Sequence, residues 1–481
     1  DQIHNFAHNN EWLIRNLDFL GQHHRAADLA RNMISLPRLA KFKTEDKKEV
    51  YDPSGSSWQY GRQRLRDTLV RYEDWRQVIA LSGDGKDKTA PLHPDGQSIT
   101  DTDYHRYVGL AKFESGDLAG AGKHLAELEK RLEAKRAEKD KAVAAAEKKA
   151  TEAKKDAKGI EESKKAAAKN FEKAVTDLEN PVNELRVYAA LSASPPDTAK
   201  ALELLPKLKD LAKWRHASLW QRAGKGEEAI KLANEAVSSG KNEVLPLVSQ
   251  VRLLHANGDK EKAREAFTRL RTVASGADAD LPVFLPLVAI AKEFGFPQDW
   301  RLAPEAPKDL GERPELDSLG PFRWTPPQAP SATVTAIDGT SEPLFTMGGR
   351  PRVVIFFLGK GCSHCMEQLN AFAPVGERYK EAGIDLVAVS TDTAEGLKET
   401  LAGEGEEKSP FPFPLYSDAD LAAFKAFRAH DDFEEMPLHG TYLIDRGGRI
   451  RWQEISYEPF MKPEWLLEEC VRLLALDSTE S

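Results

Sequence analysis

Apolar residues recur at helical spacing from the start of the chain to about residue 295, as Trp12, Leu13, Leu17 and Leu20 show. Residues three and four positions apart lie on one face of an α-helix. Runs of β-branched residues, which favour strands, are few in this stretch. The pattern therefore predicts an all-α region over residues 1–295.

A short motif repeats within this helical region. It consists of a glycine, a small residue five positions later, and apolar or small residues four and seven positions after that. Copies occur at Gly21, Ala26, Ala30 and Met33, at Gly116, Ala121, Leu125 and Leu128, at Gly224, Ala229, Ala233 and Ala236, and at Gly258, Ala263, Phe267 and Leu270. A degenerate copy is formed by Pro196, Ala201, Leu205 and Leu208.

We expect each glycine to end one helix in a left-handed turn, and the small residues to let the next helix pack closely. The last two glycines lie about 34 residues apart, which is the period of the tetratricopeptide repeat. The region resembles that repeat, although the aromatic positions of its signature are irregular. The resemblance implies an α-solenoid that binds a protein partner; the alternative is an irregular helical bundle.

Residues 123–180 differ from the rest because they are rich in Ala, Lys and Glu. Apolar residues step alternately by three and four, which is typical of a coiled coil with a thin seam. The seam contains Val143, Ala146, Ala150, Ala153, Ala157 and Ile160. We expect an inserted antiparallel coiled-coil hairpin with its tip near residues 156–160, around Gly159. It serves either as a solvated spacer arm or as a docking arm for a partner.

Prolines interrupt residues 296–331 and predict an extended linker. The pattern then changes, because residues 352–358 read RVVIFFL, a short apolar run typical of a buried parallel strand. The alternation that follows predicts an α/β domain over residues 332–481. We expect helices at 365–379, 421–429 and 465–476, a strand at 384–390, and a hairpin of 441–445 with 450–454 around Gly447 and Gly448.

Two cysteines three residues apart open the helix after the first buried strand, in the sequence Gly361-Cys362-Ser363-His364-Cys365. This spacing within one helical turn places the sulfur atoms within reach of a disulfide. Unpaired backbone N–H groups and the helix dipole favour a thiolate at the first position. We assign Cys362 as the nucleophile and Cys365 as the resolving thiol.

The stretch from about residue 327 to 474 resembles the thioredoxin-like redoxins of the TlpA and AhpC/TSA superfamily. Four segments match in order and spacing: VVIFFLGKGCSHC, IDLVAVSTD, FPLYSDAD and GTYLIDRGGRI. The resemblance implies a thioredoxin-like fold, thiol–disulfide exchange, and a redox-active Cys362–Cys365 disulfide with no other cofactor. The CxHC form is similar to that of periplasmic dithiol oxidants, with Ser363 in place of their usual proline.

The resemblance also implies a groove around the cysteines. His439 takes the place of the family's cis-proline, with Pro437 two residues earlier, so His439 is expected to face the CxxC pair. It either bonds a thiolate or substrate there, or only fills the loop. His364 either stabilises the Cys362 thiolate and makes the disulfide more oxidising, or is only a solvated loop residue. The groove is formed by Lys360, Gly361, Ser363, His364, Pro437, Leu438, His439 and Gly440.

Two departures from related families affect the chemistry. Thioredoxins carry a buried acid six residues before the first cysteine; Phe356 stands there, so proton transfer to Cys365 requires His439 or water. Peroxiredoxins carry a threonine three residues before the peroxidatic cysteine, and Gly359 at that place disfavours a thiol peroxidase. Cys470 lies on an apolar helical stripe, which predicts a buried, inert thiol rather than a C-terminal resolving one.

Metal chemistry is not the main expectation. A structural zinc site needs four ligands, and no second pair of cysteine or histidine residues has suitable spacing. Cys362, Cys365 and His439 are soft ligands, so copper(I) remains a lesser alternative to a site without metal.

Composition removes several function classes. The 481 residues carry a net charge of −9, which argues against nucleic-acid binding, and only 3 cysteines, too few for a disulfide scaffold. The sequence contains no run of 18 apolar residues, so it predicts no membrane-spanning helix. The start at Asp1 and the redoxin type suggest an exported, periplasmic bacterial protein. We expect exchange with a thiol or disulfide of a partner protein; the alternatives are a non-catalytic scaffold and a thiol peroxidase.

Overall fold

The structure is a computed structural model that describes residues 3–39, 41–42, 49–50, 53–83, 90–92, 101–303, 323–402 and 411–477. The chain divides into two compact units. We call the described residues of 4–34 and 59–322 the helical unit, and those of 1–3, 35–58 and 323–481 the sheet unit. No helix within the described ranges is long and apolar enough to cross a membrane.

The helical unit is built from helices, as predicted, and its described residues include one short 3₁₀ turn at Leu205–Lys207. Its helices are α1 His4–Phe19, α2 His23–Ser35, α3 Ser57–Arg71, α4 Trp75–Ser82, α5 Thr102–Glu114, α6 Leu118–Glu152, α7 Ala157–Ser192, α8 Thr198–Leu204, α9 Lys213–Arg222, α10 Gly226–Ser239, α11 Val244–Ala256, α12 Lys260–Val273 and α13 Leu285–Glu293.

The four glycines of the repeated motif occupy left-handed turns between helices. Gly21, Gly116, Gly224 and Gly258 have φ angles of 81, 82, 77 and 85°. In each case the next helix begins two residues later. The small residue that follows each glycine by five positions has no exposed surface. Helical hairpins with closely packed small residues are therefore present, and their assignment to the tetratricopeptide repeat stays a prediction.

The long hairpin consists of α6 and α7, and both helices extend beyond the predicted range of 123–180. Its predicted tip was wrong by a few residues, because the turn precedes Gly159. Lys154 takes the left-handed conformation there, with φ of 53°. Asp156 then caps α7 by accepting a hydrogen bond from the Gly159 amide at 2.8 Å. The turn needs no glycine, since a lysine supplies the positive φ and an aspartate supplies the cap.

The sheet unit contains a seven-stranded mixed sheet. Its strands are β3 Thr333–Ala336, β4 Ser341–Pro343, β5 Arg352–Phe357, β6 Asp385–Ser390, β7 Leu415–Ser417, β10 His439–Ile444 and β11 Ile450–Ser456. They lie in the order β11-β10-β5-β6-β7-β3-β4, in which β5, β6 and β7 are parallel and β10 runs antiparallel to both β5 and β11. Two short pairs are β1 Lys41–Phe42 with β2 Glu49–Val50, and β8 His430–Asp431 with β9 Met436–Pro437.

Helices cover both faces of this sheet, so β5 is buried on each side. Val353, Ile355 and Phe357 belong to one apolar cluster, and Val354 and Phe356 belong to another. The helices are α14 Ser363–Phe372, α15 Gly376–Glu381, α16 Ala394–Ala402, α17 Ala422–Ala426 and α18 Pro463–Asp477.

Several predicted elements need correction. The helix expected over 365–379 is divided between α14 and α15 by a 3₁₀ turn that contains Pro374. The helix expected over 421–429 is shorter, because Leu421 and Arg428 adopt φ angles of 60 and 61° at its two ends. The hairpin of β10 with β11 was predicted correctly, whereas β3, β4, β7 and α16 were not predicted.

An N-terminal segment belongs to the sheet unit, although the sequence placed it in the all-α region. The backbone N and Nε of Arg38 donate to the Glu469 carboxylate at 2.8 and 2.7 Å. Trp452 Nε1 donates to the Arg38 carbonyl at 2.8 Å, and Arg472 donates to the Leu36 carbonyl at 2.9 Å. Strands β1 and β2 also lie in this segment. Of the predicted linker 296–331, residues 304–322 lie outside the described residues.

Candidate active site

The first cysteine is placed by the sharp turn between β5 and α14. Gly359 has a φ of 90° there, and a Cβ at this position would lie 2.5 Å from Asp392 Oδ1. Cys362 is the N-cap residue of α14, and its sulfur accepts a hydrogen bond from the Cys365 amide at 3.3 Å. The sulfur therefore lies at the N-terminus of α14, beside backbone N–H groups that have no partner within the helix.

Cys365 lies one helical turn later and has no exposed surface. Its sulfur accepts a hydrogen bond from the Leu358 amide at 3.2 Å. Burial, together with the adjacent Cys362 sulfur, raises the pKa of Cys365 to about 12. Both cysteines are free thiols, and their sulfurs lie within 4.8 Å of each other. At neutral pH Cys365 is thus a protonated thiol, which needs a base before it can attack.

His439 supplies a nitrogen atom beside both sulfurs. Its Nε2 lies 3.2 Å from Cys365 Sγ and 3.8 Å from Cys362 Sγ. Its Nδ1 lies 2.8 Å from the carbonyl oxygen of Tyr457. A carbonyl only accepts hydrogen bonds, so Nδ1 carries the proton and Nε2 presents its lone pair to the thiols. Burial also lowers the pKa of His439, which keeps the ring neutral.

The strand pairing holds His439 in this position. His439 is the first residue of β10 and pairs with Ser456 of β11, next to Tyr457. The Tyr457 hydroxyl donates to Asp431 Oδ2 at 2.6 Å, which lowers the pKa of Asp431. Asp431 belongs to β8, which pairs with β9 just before His439. The imidazole is therefore fixed through backbone groups and one buttressing tyrosine.

The other predicted groove residues lie around this centre. Pro437 is in β9, and the Leu438 amide donates to the Ala429 carbonyl at 2.9 Å. Gly440 is buried in β10, opposite Phe356 on β5. Among the described residues the cis peptide bond is Ser194–Pro195, so the bond before Pro437 is trans.

On the Cys362 side of the groove, Gly361 and Ser363 are exposed. The amide of Lys360 donates to Asp392 Oδ2 at 2.8 Å. The His364 side chain is 66% exposed, and its Nδ1 lies 3.4 Å from Glu367 Oε2. Because His364 faces solvent and contacts Glu367, its proposed effect on the reduction potential at Cys362 would act through charge over a distance.

Two residues considered in the sequence lie away from the dithiol chemistry. Phe356 packs against Phe424, Phe427 and Tyr442 in the cluster on the opposite face from Cys365, so it offers no proton acceptor. Cys470 is buried in α18, and burial raises the pKa of its thiol well above the ordinary value. Sequence analysis did not identify Asp392, Tyr457 or Asp431 as site residues. Of these three, only Asp392 lies within a segment that matches the redoxins, IDLVAVSTD.

Comparison with known proteins identifies the family of this region. The AhpC/TSA family matches residues 327–453. Rice (Oryza sativa subsp. japonica) chloroplastic peroxiredoxin Q is 30% identical over 147 residues, which cover 30% of this chain and 64% of the rice protein. Sedum lineare chloroplastic peroxiredoxin Q is 29% identical over 146 residues, covering 30% of this chain and 74% of that protein.

The match to the rice protein thus spans slightly less than two thirds of its length. Among solved structures, Xanthomonas campestris peroxiredoxin Q has 21% identity and a TM-score of 0.26, and covers 31% of this chain and 92% of that chain. The family match coincides with the strands and helices that carry both cysteines and His439. Residues 327–453 form a redoxin domain of the AhpC/TSA family.

Proposed function

We propose that the redoxin domain catalyses thiol–disulfide exchange with a partner protein. The Cys362 thiolate attacks a partner disulfide, forms a mixed disulfide, and releases one partner sulfur as a thiolate. Cys365 then gives its proton to His439 Nε2 and attacks the Cys362 sulfur. This second step forms the Cys362–Cys365 disulfide and releases the second partner sulfur, so the partner is reduced by two electrons. The reverse sequence oxidises a partner dithiol.

The arrangement of Cys365 and His439 is the single observation that carries this proposal. The buried thiol lies 3.2 Å from a nitrogen whose lone pair is directed at it. A resolving cysteine with a raised pKa needs such a base, and general-base catalysis is worth about 10²–10⁴ in rate. Because Phe356 offers no acidic group, His439 takes over the proton transfer that a buried acid performs in thioredoxins.

A thiol peroxidase is the second candidate, because the related plant proteins are named peroxiredoxin Q. Against it stands Gly359, at the position where peroxiredoxins carry a threonine. The positive φ strains any side chain there, and a Cβ would require the Asp392 carboxylate to shift. The turn before Cys362 therefore cannot present a hydroxyl from this position to a peroxide, and exchange with a disulfide fits the site better.

We propose a separate role, the choice of partner, for the helical unit. Helical hairpins with an exposed coiled-coil arm suit the recruitment of a polypeptide, so we propose that this unit selects the partner. A non-catalytic scaffold with an inert redoxin domain is the opposing view. It predicts that Cys362 reacts with an alkylating reagent no faster at neutral pH than a free cysteine does.

Trapping the mixed disulfide tests the function directly. The full chain with Cys365→Ser should hold its partner through Cys362, whereas Cys362→Ser should hold none, and Cys470→Ala should behave like the wild type. Reduction of a model protein disulfide and consumption of peroxide are then measured side by side. Disulfide reduction without peroxide consumption supports the proposal. Rapid peroxide consumption that depends on Cys362, without disulfide reduction, would establish the peroxidase instead.

A further inference from the structure

We propose that the reduced redoxin domain binds one copper(I) ion through Cys362 Sγ, Cys365 Sγ and His439 Nε2. In the part of the chain that the structure describes, these three side chains form the group whose ligand atoms all lie within 4.8 Å of one another. Two of the three residues are buried, and the third is half-buried. The proposal concerns metal binding, and it does not depend on whether the dithiol exchanges disulfides.

The two nitrogen–sulfur distances are close to those of a trigonal site. Metal–sulfur bonds of about 2.3 Å and metal–nitrogen bonds of about 2.0 Å, at angles near 120°, place nitrogen and sulfur about 3.7 Å apart. The observed separations from His439 Nε2 to the two sulfurs are 3.2 and 3.8 Å. To hold an ion, the two nitrogen–sulfur distances need to change by about 0.5 Å at most.

The second layer of contacts directs all three donor atoms inward. The hydrogen bond from Nδ1 to the Tyr457 carbonyl leaves the lone pair of His439 on Nε2, as metal-ligating histidines require. The amides of Leu358 and Cys365 donate to the sulfurs of Cys365 and Cys362, respectively. These N–H groups stabilise negative charge on the two thiolates that a metal would bind.

The chemical nature of the three ligand atoms determines which metal ion the site prefers. Two thiolates and one imidazole are soft ligands, which favour copper(I) over hard cations. A structural zinc ion takes four protein ligands, and no fourth Cys, His, Asp or Glu joins the group within the described residues. Binding replaces two thiol protons by one metal ion and changes no oxidation state. The Cys362–Cys365 disulfide and the bound ion exclude each other, because both use the same sulfurs.

Anaerobic titration of the reduced full-length protein with copper(I), against a chromogenic chelator, tests the proposal. We expect one equivalent to bind to the dithiol form and none to the disulfide form. Cys362→Ser and Cys365→Ser should abolish the site. His439→Asn should lower the affinity by about tenfold or more, in line with the loss of an anchoring ligand. Cys470→Ala and His24→Asn are the matched thiol and imidazole controls. Cys470 is buried in α18 and the His24 ring lies 3.0 Å from Asp280 in the helical unit, so both variants should bind like the wild type.

X-ray absorption at the copper edge provides a readout independent of affinity, and should show two sulfur neighbours and one nitrogen neighbour. Affinity unchanged in His439→Asn, or a spectrum with sulfur neighbours alone, would overturn the three-ligand site. Tighter binding of zinc(II) than copper(I) in parallel titrations would overturn the choice of metal. Failure to bind copper by a protein that still reduces disulfides would reject this inference alone, and copper binding without disulfide reduction would reject the proposed function alone.

Discussion

Replacing His439 by asparagine should separate the two chemical steps at the dithiol. The substitution removes the lone pair that lies 3.2 Å from Cys365 Sγ, and leaves Cys362 at the N-terminus of α14. We expect attack by Cys362 to change little, because the Cys365 amide that donates to its sulfur stays in place. Resolution by Cys365 should become slow, because its buried thiol loses the adjacent base.

The size of the effect follows from the raised pKa of Cys365. With a pKa of about 12, only about one Cys365 in 10⁵ is a thiolate at pH 7. General-base catalysis recovers about 10²–10⁴ of this loss, so resolution in His439→Asn should slow by that factor. In the wild type, the rate should rise as the pH passes the pKa of His439, which burial lowers, and then stay level. In the variant it should rise about tenfold per pH unit through neutrality, because only the ionised thiol reacts.

Stopped-flow mixing of the reduced protein with one equivalent of an aromatic disulfide resolves both steps. The first thionitrobenzoate is released by Cys362 and the second by Cys365, so the absorbance rises in two phases. Cys365→Ser identifies the first phase because it lacks the second, and Cys470→Ala controls for the buried third thiol. A second phase in His439→Asn with the rate and pH dependence of the wild type would refute the assignment of His439 as the base.

Other substitutions test neighbouring features. Gly359→Thr places a side chain against Asp392 at a φ of 90°, and should destabilise the redoxin domain by about 1–3 kcal/mol; an unchanged melting curve would contradict this. Arg38→Ala should cost about 1.5–3 kcal/mol in urea unfolding, because buried Glu469 loses a charged donor. Burial opposes the ionisation of Glu469, but its arginine partners outweigh burial and lower its pKa below the ordinary value of 4.5. The cost of Arg38→Ala should therefore shrink as the pH falls below 4.5 and passes the lowered pKa of Glu469. A cost that does not change with pH would argue against the ion pair. His364→Asn should make the reduction potential more negative by about 10–20 mV, since an exposed charge contributes little, and an unchanged potential would exclude tuning.

The sequence revealed those elements whose signals are local. The apolar run of β5, the two glycines between β10 and β11, and the glycine turns of the helical unit each act through their immediate neighbours. Strand β4 has only exposed residues, so it lacks the apolar alternation by which a strand is recognised. The placement of Arg38 depends on contacts with Trp452 and Glu469, more than 400 positions away in the sequence, and no local pattern encodes them.

The same contrast between what the sequence reveals and what only the structure reveals applies to the active site. The cysteine pair was found from its spacing after a buried strand, whereas the position of His439 was implied by the resemblance to the redoxins, whose cis-proline it replaces at the start of β10. The chemistry of His439 does not follow from spacing, since its tautomer is set by a backbone carbonyl, and every residue type has one. The pairing of β10 with β11 places that carbonyl, and the hydroxyl of the same Tyr457 anchors the residue further by bonding Asp431. A phenylalanine at position 457 would keep the carbonyl and lose only the anchor, so the identity of this residue matters for the position of the base and not for its protonation.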